Sequence, residues 1–221
     1  MQQVFDVDQF EFPYDRVRFP GQASDERILF VAREARVMLY LRQVLVWVAG
    51  LVAVVAGMVI PGFLGSLGID GLGTVRLLGL ILGLVFLLGG SWWVYVMWKK
   101  SIFILTTRRL TKFIYATPWN RYNLSLGLDK VVDTGAYGRG YFQALFGVGT
   151  FAARSSAGNR QEKYFYIENV KAYEDLANYV NKVLFVYERK MEKLANYRPF
   201  IPHLKGEKRK SFMANFPQFW S

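Results

Sequence analysis

The residue types that usually carry enzyme chemistry are nearly absent from this chain. It contains no cysteine and a single histidine, His203. A thiolate nucleophile, a disulfide and a His- or Cys-rich zinc site are therefore excluded. Without these groups a Cys–His nucleophile pair and a His-rich zinc site cannot be built, and we predict a non-enzymatic protein without a metal.

Two further patterns resemble functional motifs without their structural context. Residues 147–152 read GVGTFA and formally fit GxGxxA. A dinucleotide fingerprint needs a helix after the glycines, and a β-type run follows here. Asp129 and Asp133 are four residues apart, but on β-type sequence they more simply offset Lys130 and Arg139. With no Walker A motif either, we predict no cofactor.

A group of cations follows the second apolar run of the chain. It consists of Lys99, Lys100, Arg108, Arg109 and Lys112. These side chains are interpreted as membrane-surface contacts, either by anchoring and snorkelling or by binding an anionic lipid headgroup. Residues 99–221 carry 21 basic against 9 acidic side chains. Each cation near an anionic leaflet contributes ~1 kcal/mol, so lipid explains the charge and we predict no nucleic-acid partner.

Two uncharged apolar runs organise the chain, at about 44–60 and 77–98. A helix of ~20 apolar residues crosses a hydrocarbon core of ~30 Å, and a helix satisfies its own backbone hydrogen bonds there. A Gly-rich loop joins the runs, which predicts a two-helix transmembrane hairpin. The alternative, a pair of core helices in a soluble protein, requires more chain than is present to surround them.

Charge on either side of this hairpin predicts its orientation. Arg27, Arg33, Arg36 and Arg42 precede it and the five cations follow it, whereas the loop holds one Arg and one Asp. The positive-inside rule then predicts a two-pass protein of the cytoplasmic (inner) membrane with both termini in the cytoplasm. Neither run contains an ionisable residue, which argues against a transport path.

Small residues recur at fourfold spacing within both runs. They are Ala49, Ala53 and Gly57 in the first run and Gly79 and Gly83 in the second. Such faces let helices approach closely. We predict that they pack the two helices on each other, with an oligomer contact as the alternative.

The remaining sequence predicts a second domain of α+β class. Short β-type runs follow one another at hairpin spacing from Ser101 onward, which predicts a mostly antiparallel sheet. A helix then continues to Leu194, with Asn169 as its possible N-cap. The predicted division is an extended arm over 1–24, a partly helical lead-in and hairpin over 25–100, a cytoplasmic domain over 101–194 and a tail over 195–221.

Four segments of this domain resemble the bacterial pleckstrin-homology-like (PH-like) domain of small membrane proteins. They are FILTTRRLT, LSLGLDKVVD, ALFGVGTFAARSS and IENVKAYEDLANYV, beginning at Phe103, Leu124, Ala144 and Ile167. The resemblance covers roughly residues 20–180, with departures at Ala116, where a Gly is usual, and Ser125, where a Pro is usual. It implies a curved, mostly antiparallel sheet capped by one C-terminal helix, and little about activity.

The tail combines a basic cluster with apolar side chains. Phe212, Phe216, Phe219 and Trp220 are predicted to contact a neighbouring subunit or the inner leaflet, in an extended or broken segment. The predicted function is a membrane-anchored interaction or assembly module, a scaffold or accessory subunit of a membrane complex. Its partners would be anionic lipids and other subunits or further copies of the chain. The alternative is a peripheral sensor of anionic lipid headgroups.

Overall fold

A computed structural model of the chain describes residues 2–7, 10, 12–67, 71, 73–138, 140–156, 164–201 and 206–219. The chain separates into two compact units. The first contains Met1–Ala35, Lys100–Ile114 and Tyr122–Ser221, and the second contains Arg36–Lys99 and Tyr115–Arg121.

In the sequence, strands and helices of the first unit occur both before and after two long helices. In chain order the elements are β1 (Gln2–Gln3), β2 (Val17–Arg18), β3 (Ile28–Ala32), α1 (Arg36–Ser66), α2 (Gly73–Lys100), β4 (Ile102–Thr106), β5 (Arg109–Tyr115), β6 (Arg121–Gly127), β7 (Val131–Tyr137), α3 (Tyr141–Phe146), β8 (Val148–Ser155), β9 (Tyr164–Lys171), α4 (Tyr173–Arg189), α5 (Met191–Leu194) and α6 (Gly206–Asn215). Short 3-10 turns lie at Tyr14–Arg16, Leu128–Lys130 and Pro217–Phe219.

A four-stranded sheet in the order β3-β4-β5-β6 joins sequence from both sides of the helical pair. β3 pairs antiparallel with β4, and Ala32 lies opposite Phe103. The predicted helical lead-in is therefore wrong for residues 28–32, which form a strand. Their sequence, ILFVA, is apolar and β-branched, and four of the five residues are buried. Residues 25–35 thus belong to the first unit and not with the hairpin, where the sequence division places them.

A second sheet, β7-β8-β9, is antiparallel throughout and carries α4. The buried side of α4 consists of Leu176, Ala177, Tyr179, Val180 and Val183. The Thr134 hydroxyl of β7 donates to the side-chain oxygen of Asn181, at 2.6 Å. Two antiparallel sheets with helices confirm the predicted α+β class.

The helix that follows β9 differs from its prediction at both ends. Its first residue is Tyr173, and the N-cap position is held by Ala172, which has a left-handed backbone with φ 54°. Asn169 is also left-handed and lies within β9, so it is not the N-cap. At Lys190 the backbone leaves the helical region (φ −148°, ψ 60°), which separates α4 from α5.

The arm and part of the tail contribute to the core of the first unit. Val4, Tyr14, Val17 and Phe19 of the arm are buried in the same cluster as both sheets. Phe200 is also buried, and its backbone N–H donates to the carbonyl of Leu29 at 2.8 Å. The arm's aromatic residues Tyr14 and Phe19 thus pack within the chain's own core.

The second unit is built from α1 and α2, and both helices are long and apolar enough to cross a membrane. They extend past the predicted limits of 44–60 and 77–98, because helical structure continues into the charged flanks around Arg42 and Lys99. The length of an apolar run indicates whether a helix can cross the hydrocarbon core. It does not indicate where the helix begins or ends.

Candidate functional site

The outer surface of the α1–α2 pair is the largest feature without a hydrophilic cover. Leu45, Trp47 and Leu88 are 69%, 65% and 74% exposed, and large aliphatic side chains lie outward along both helices. Contiguous exposed apolar surface of this kind marks a membrane or protein contact. Its chemistry matches a hydrocarbon environment, where neither helix leaves backbone groups unpaired.

Glycines set the distance between the two helices. A Cβ on Gly57 would lie 2.9 Å from the Gly79 Cα, and one on Gly83 would lie 2.4 Å from a Val54 methyl group. Gly50 similarly faces Leu87. These contacts leave no room for a side chain, and close approach increases van der Waals contact between the helices.

The structure corrects two of the predicted packing positions. Ala49 and Ala53 are exposed, whereas Gly50 is buried and Val54 half-buried one position later. Successive residues of a helix are ~100° apart, so this one-residue offset moves a side chain away from the contact. The fourfold spacing of small residues indicated the helical period of the packing face of α1. It did not show which of two neighbouring residues lies on that face.

Aromatic side chains are concentrated near the C-terminal end of α2. A tryptophan from a turn outside the helices packs against one of them. Trp119, in the turn between β5 and β6, meets Trp93 edge to face with ring centroids 5.6 Å apart. The turn is closed by the Asn120 N–H, which donates to the Thr117 hydroxyl at 2.9 Å. Trp119 nevertheless stays 77% exposed. The sequence alone did not indicate a role for this tryptophan, because a residue in a turn belongs to no periodic pattern.

Arg108, Arg109 and Lys112, which were predicted to contact lipid, have partners within the protein. Arg108 pairs with Asp25, Arg109 with Glu26, and the Lys112 ammonium donates to the Tyr166 carbonyl at 3.1 Å. Lys99 and Lys100 are half-buried in the last turn of α2. Acidic partners in the segment before β3 were not foreseen, because the sequence places them about 80 residues away.

The Arg109–Glu26 pair forms a closed network. Glu26 is 3% exposed, and its Oε1 accepts from Arg109 Nε at 2.9 Å and from the Thr106 hydroxyl at 2.7 Å. Its Oε2 accepts from a second Arg109 nitrogen at 3.0 Å and from the Ala23 N–H at 3.1 Å. All these donors satisfy the carboxylate, and a paired buried charge of this kind is structural.

The pKa of the Glu26 carboxyl reflects the balance of these contacts. Burial raises the pKa, but hydrogen bonds from Arg109, Thr106 and Ala23 and the arginine's charge together lower it below its usual value. Lys112 shows the opposite balance, since burial lowers its pKa more than Glu168 and Glu34 raise it.

A polar clasp holds α3 next to the segment that precedes α1. Gln143 donates to the Asn169 side-chain oxygen at 3.0 Å, and the Asn169 amide donates to Glu34 at 2.6 Å. The Ala35 N–H donates to the Asn169 carbonyl at 2.8 Å. The exposed Tyr141 and Leu145 of α3 are thereby fixed near the residue before α1 begins.

The tail's aromatic residues contact the arm of the same chain. Phe12 lies 5.1 Å from both Phe212 and Phe216, measured between ring centroids. The last two are half-buried. Trp220 lies outside the described residues, as does the Phe219 side chain. The predicted break is present, since α6 ends at Asn215 and a 3-10 turn follows from Pro217.

Charged side chains line a cleft beside the arm. A cleft of about 420 Å³ beside the arm is lined in part by Asp15, Arg18, Asp25 and Arg27. Two of these, Asp15 and Arg27, approach each other at 3.8 Å. Within the described ranges there is no group of three His, Cys, Asp or Glu side chains that could hold a metal ion. His203 lies outside those ranges.

Comparison with known proteins gives one weak structural likeness. No protein-family model matches the chain, and no curated protein matches it in sequence. Among solved structures, the N-terminal PH domain of Vps36 aligns with 42% of this chain and 68% of its own, with a TM-score of 0.31 and 14% identity. This likeness assigns neither a family nor a function.

Proposed function

We propose that this protein is a membrane-anchored, non-enzymatic assembly module, a scaffold or accessory subunit of a membrane complex. The α1–α2 hairpin crosses the cytoplasmic membrane, and both termini lie in the cytoplasm. The two-sheet unit is a PH-like interaction domain of bacterial type, and its partners are other subunits or further copies of the chain.

The main support for this proposal is the place of the apolar helical pair in the chain. It is inserted between two strands that pair with each other. β3 and β4 are neighbours in one sheet, and the chain leaves and returns through Ala32 and Phe103, which lie opposite each other. A hairpin inserted in this way connects the folded unit to the membrane through two segments of the chain. Such an anchor favours holding a domain at the membrane over moving solutes across it.

The paired cations favour assembly over headgroup sensing. Arg108 and Arg109 already hold Asp25 and Glu26, and Lys112 already donates to a backbone carbonyl. A headgroup that bound Arg109 would have to displace Glu26 and leave a buried carboxylate unpaired. Anionic lipid therefore acts in this proposal as a general attraction at the surface and not as a specific ligand.

Topology provides the first test of the proposal. A reporter active only in the cytoplasm should function when fused to either terminus, because positive charge flanks both outer ends of the hairpin. The same reporter inserted between the end of α1 at Ser66 and the start of α2 at Gly73 should be inactive. Activity at one terminus only would contradict the two-pass anchor.

Assembly is tested on protein extracted gently from membranes. Native mass measurement should give a particle larger than the single 25.5 kDa chain. Glu26 and Arg109 should remain unaltered in such an experiment, since their exchange would disturb the fold itself. A monomeric particle under all mild extraction conditions would contradict the assembly function.

A further inference from the structure

The turn between β5 and β6 combines features that a purely structural turn does not need. Its tip carries Pro118 and Trp119, and the Trp119 ring is 77% exposed. A tryptophan left so exposed in water contributes little to stability, since a large apolar side chain gains ~1.5–3 kcal/mol only when it is buried. Its exposure therefore indicates that an environment other than water covers the ring.

The position of Trp119 along α2 identifies that environment. Its ring meets Trp93, which lies seven residues before Lys100, the last residue of α2. At ~1.5 Å per residue the two positions are about 10 Å apart along the helix axis. The polar interface of a bilayer is ~5–8 Å deep on each side, so a lysine at the headgroups places Trp93 near its inner boundary.

The neighbouring side chains have the composition of an interfacial belt. Trp92 and Tyr95 of α2 are exposed on either side of Trp93, and the Tyr95 ring lies 6.4 Å from that of Trp98. Tryptophan and tyrosine concentrate at this depth because the ring is apolar and the N–H or O–H group is polar. Trp119 extends this belt from a different part of the chain.

We propose that the β5–β6 turn, residues 116–120, is a lipid-contacting anchor that inserts Trp119 into the bilayer interface. The occupant of its exposed face is lipid, in continuity with the apolar surface of α2. This inference depends on the proposed membrane anchoring and adds a third attachment, through the hairpin of β5 and β6.

Because the chain has no cysteine, the test can use single labelled positions. Spin labels would be attached to Trp119→Cys, to Leu88→Cys on the exposed face of α2 and to Val132→Cys on β7. Full-length protein would be placed in vesicles of phosphatidylcholine and phosphatidylglycerol. Collision with oxygen, which enters lipid, would be compared with collision with a water-soluble nickel complex.

We expect the label at 119 to resemble that at 88, with preferential oxygen collision, and to differ from the water-exposed label at 132. A label at 119 that matches position 132, while position 88 remains in lipid, would overturn the inference and leave the membrane anchor intact. Nickel access at all three positions would overturn both.

A second measurement retains the tryptophan itself. In vesicles with brominated acyl chains, wild-type fluorescence should be quenched more than that of Trp119→Phe, and the difference should be largest for bromine placed near the headgroup. If Trp119→Cys fails to incorporate, Asn120→Cys provides a label beside the native ring. Equal quenching of wild type and Trp119→Phe would contradict insertion.

Discussion

At the residue scale, the Glu26–Arg109 pair indicates that Arg109 stabilises the fold, whereas the sequence alone predicted that it contacts lipid. We expect Arg109→Gln to lower the free energy of unfolding by about 2 kcal/mol, because Glu26 would remain buried without its charged partner. Arg108→Gln is the matched control. Its pair with Asp25 is more than half exposed on both sides and should contribute less than about 1 kcal/mol. Chemical unfolding in detergent would measure both, and equal losses would contradict the structural role.

The same pair predicts an acid-sensitive component of stability. The pKa of Glu26 is lower in the folded state than in the unfolded chain, so its contribution is complete above the unfolded value of about 4.3. This contribution is lost as the pH falls through the lower, folded value. Unfolding curves between pH 7 and pH 3 should therefore show a smaller acid loss for Glu26→Gln, from a lower starting stability. If this variant loses as much stability on acidification as the wild type, other carboxyl groups cause that loss.

At the element scale, glycine positions define the α1–α2 contact more sharply than spacing does. Gly79→Val should separate the helices, because even a Cβ there would lie 2.8 Å from the Gly57 backbone. Ala53→Val, on the exposed face, should leave the hairpin intact. Protease resistance and thermal unfolding in detergent would compare the two variants.

The same variant pair separates helix packing from oligomer formation. If the small residues of α1 mediate an oligomer, Ala53→Val should lower the yield of cross-linked oligomer without loss of hairpin stability. A stable hairpin in Gly79→Val would contradict the close approach of the helices.

Elements that depend on local patterns were predictable, and those that depend on distant partners were not. The β-type sequence from Ser101 onward forms β4, β5 and β6, as its composition predicted. β3 was missed because its partner β4 follows only after the whole hairpin, and periodicity reports nothing about pairing across such a distance. The protein partners of Arg108 and Arg109 were missed for the same reason, and Trp119 because a turn residue has no period.

At the scale of the whole molecule, the first unit is assembled from the beginning and the end of the sequence. Arm, β3 and part of the tail surround one core, to which Phe200 contributes beside Phe30 and Tyr179 at 4.7 and 5.2 Å between ring centroids. The division of the sequence at residue 194 therefore separates residues that fold together. It also changes what a truncation of the tail would report.

Two truncations separate the folding role of the tail from an assembly role. A chain ending at Asn196 loses Phe200 and its hydrogen bond to Leu29, and we expect its free energy of unfolding to fall by about 3–5 kcal/mol, as for removal of a buried Phe. A chain ending at Ile201 keeps these contacts and loses the packing of Phe212 and Phe216 on Phe12, so its domain should remain folded.

Particle size then reports on assembly without the confusion of unfolding. If the segment after Ile201 contacts a neighbouring subunit, the chain ending there should give a smaller particle in native mass measurement while its unfolding curve stays cooperative. An unchanged particle would restrict the role of this segment to covering Phe12 of its own arm. Loss of cooperative unfolding in the chain ending at Ile201 would instead place the segment from 206 onward within the core, contrary to the half-buried state of its aromatic rings.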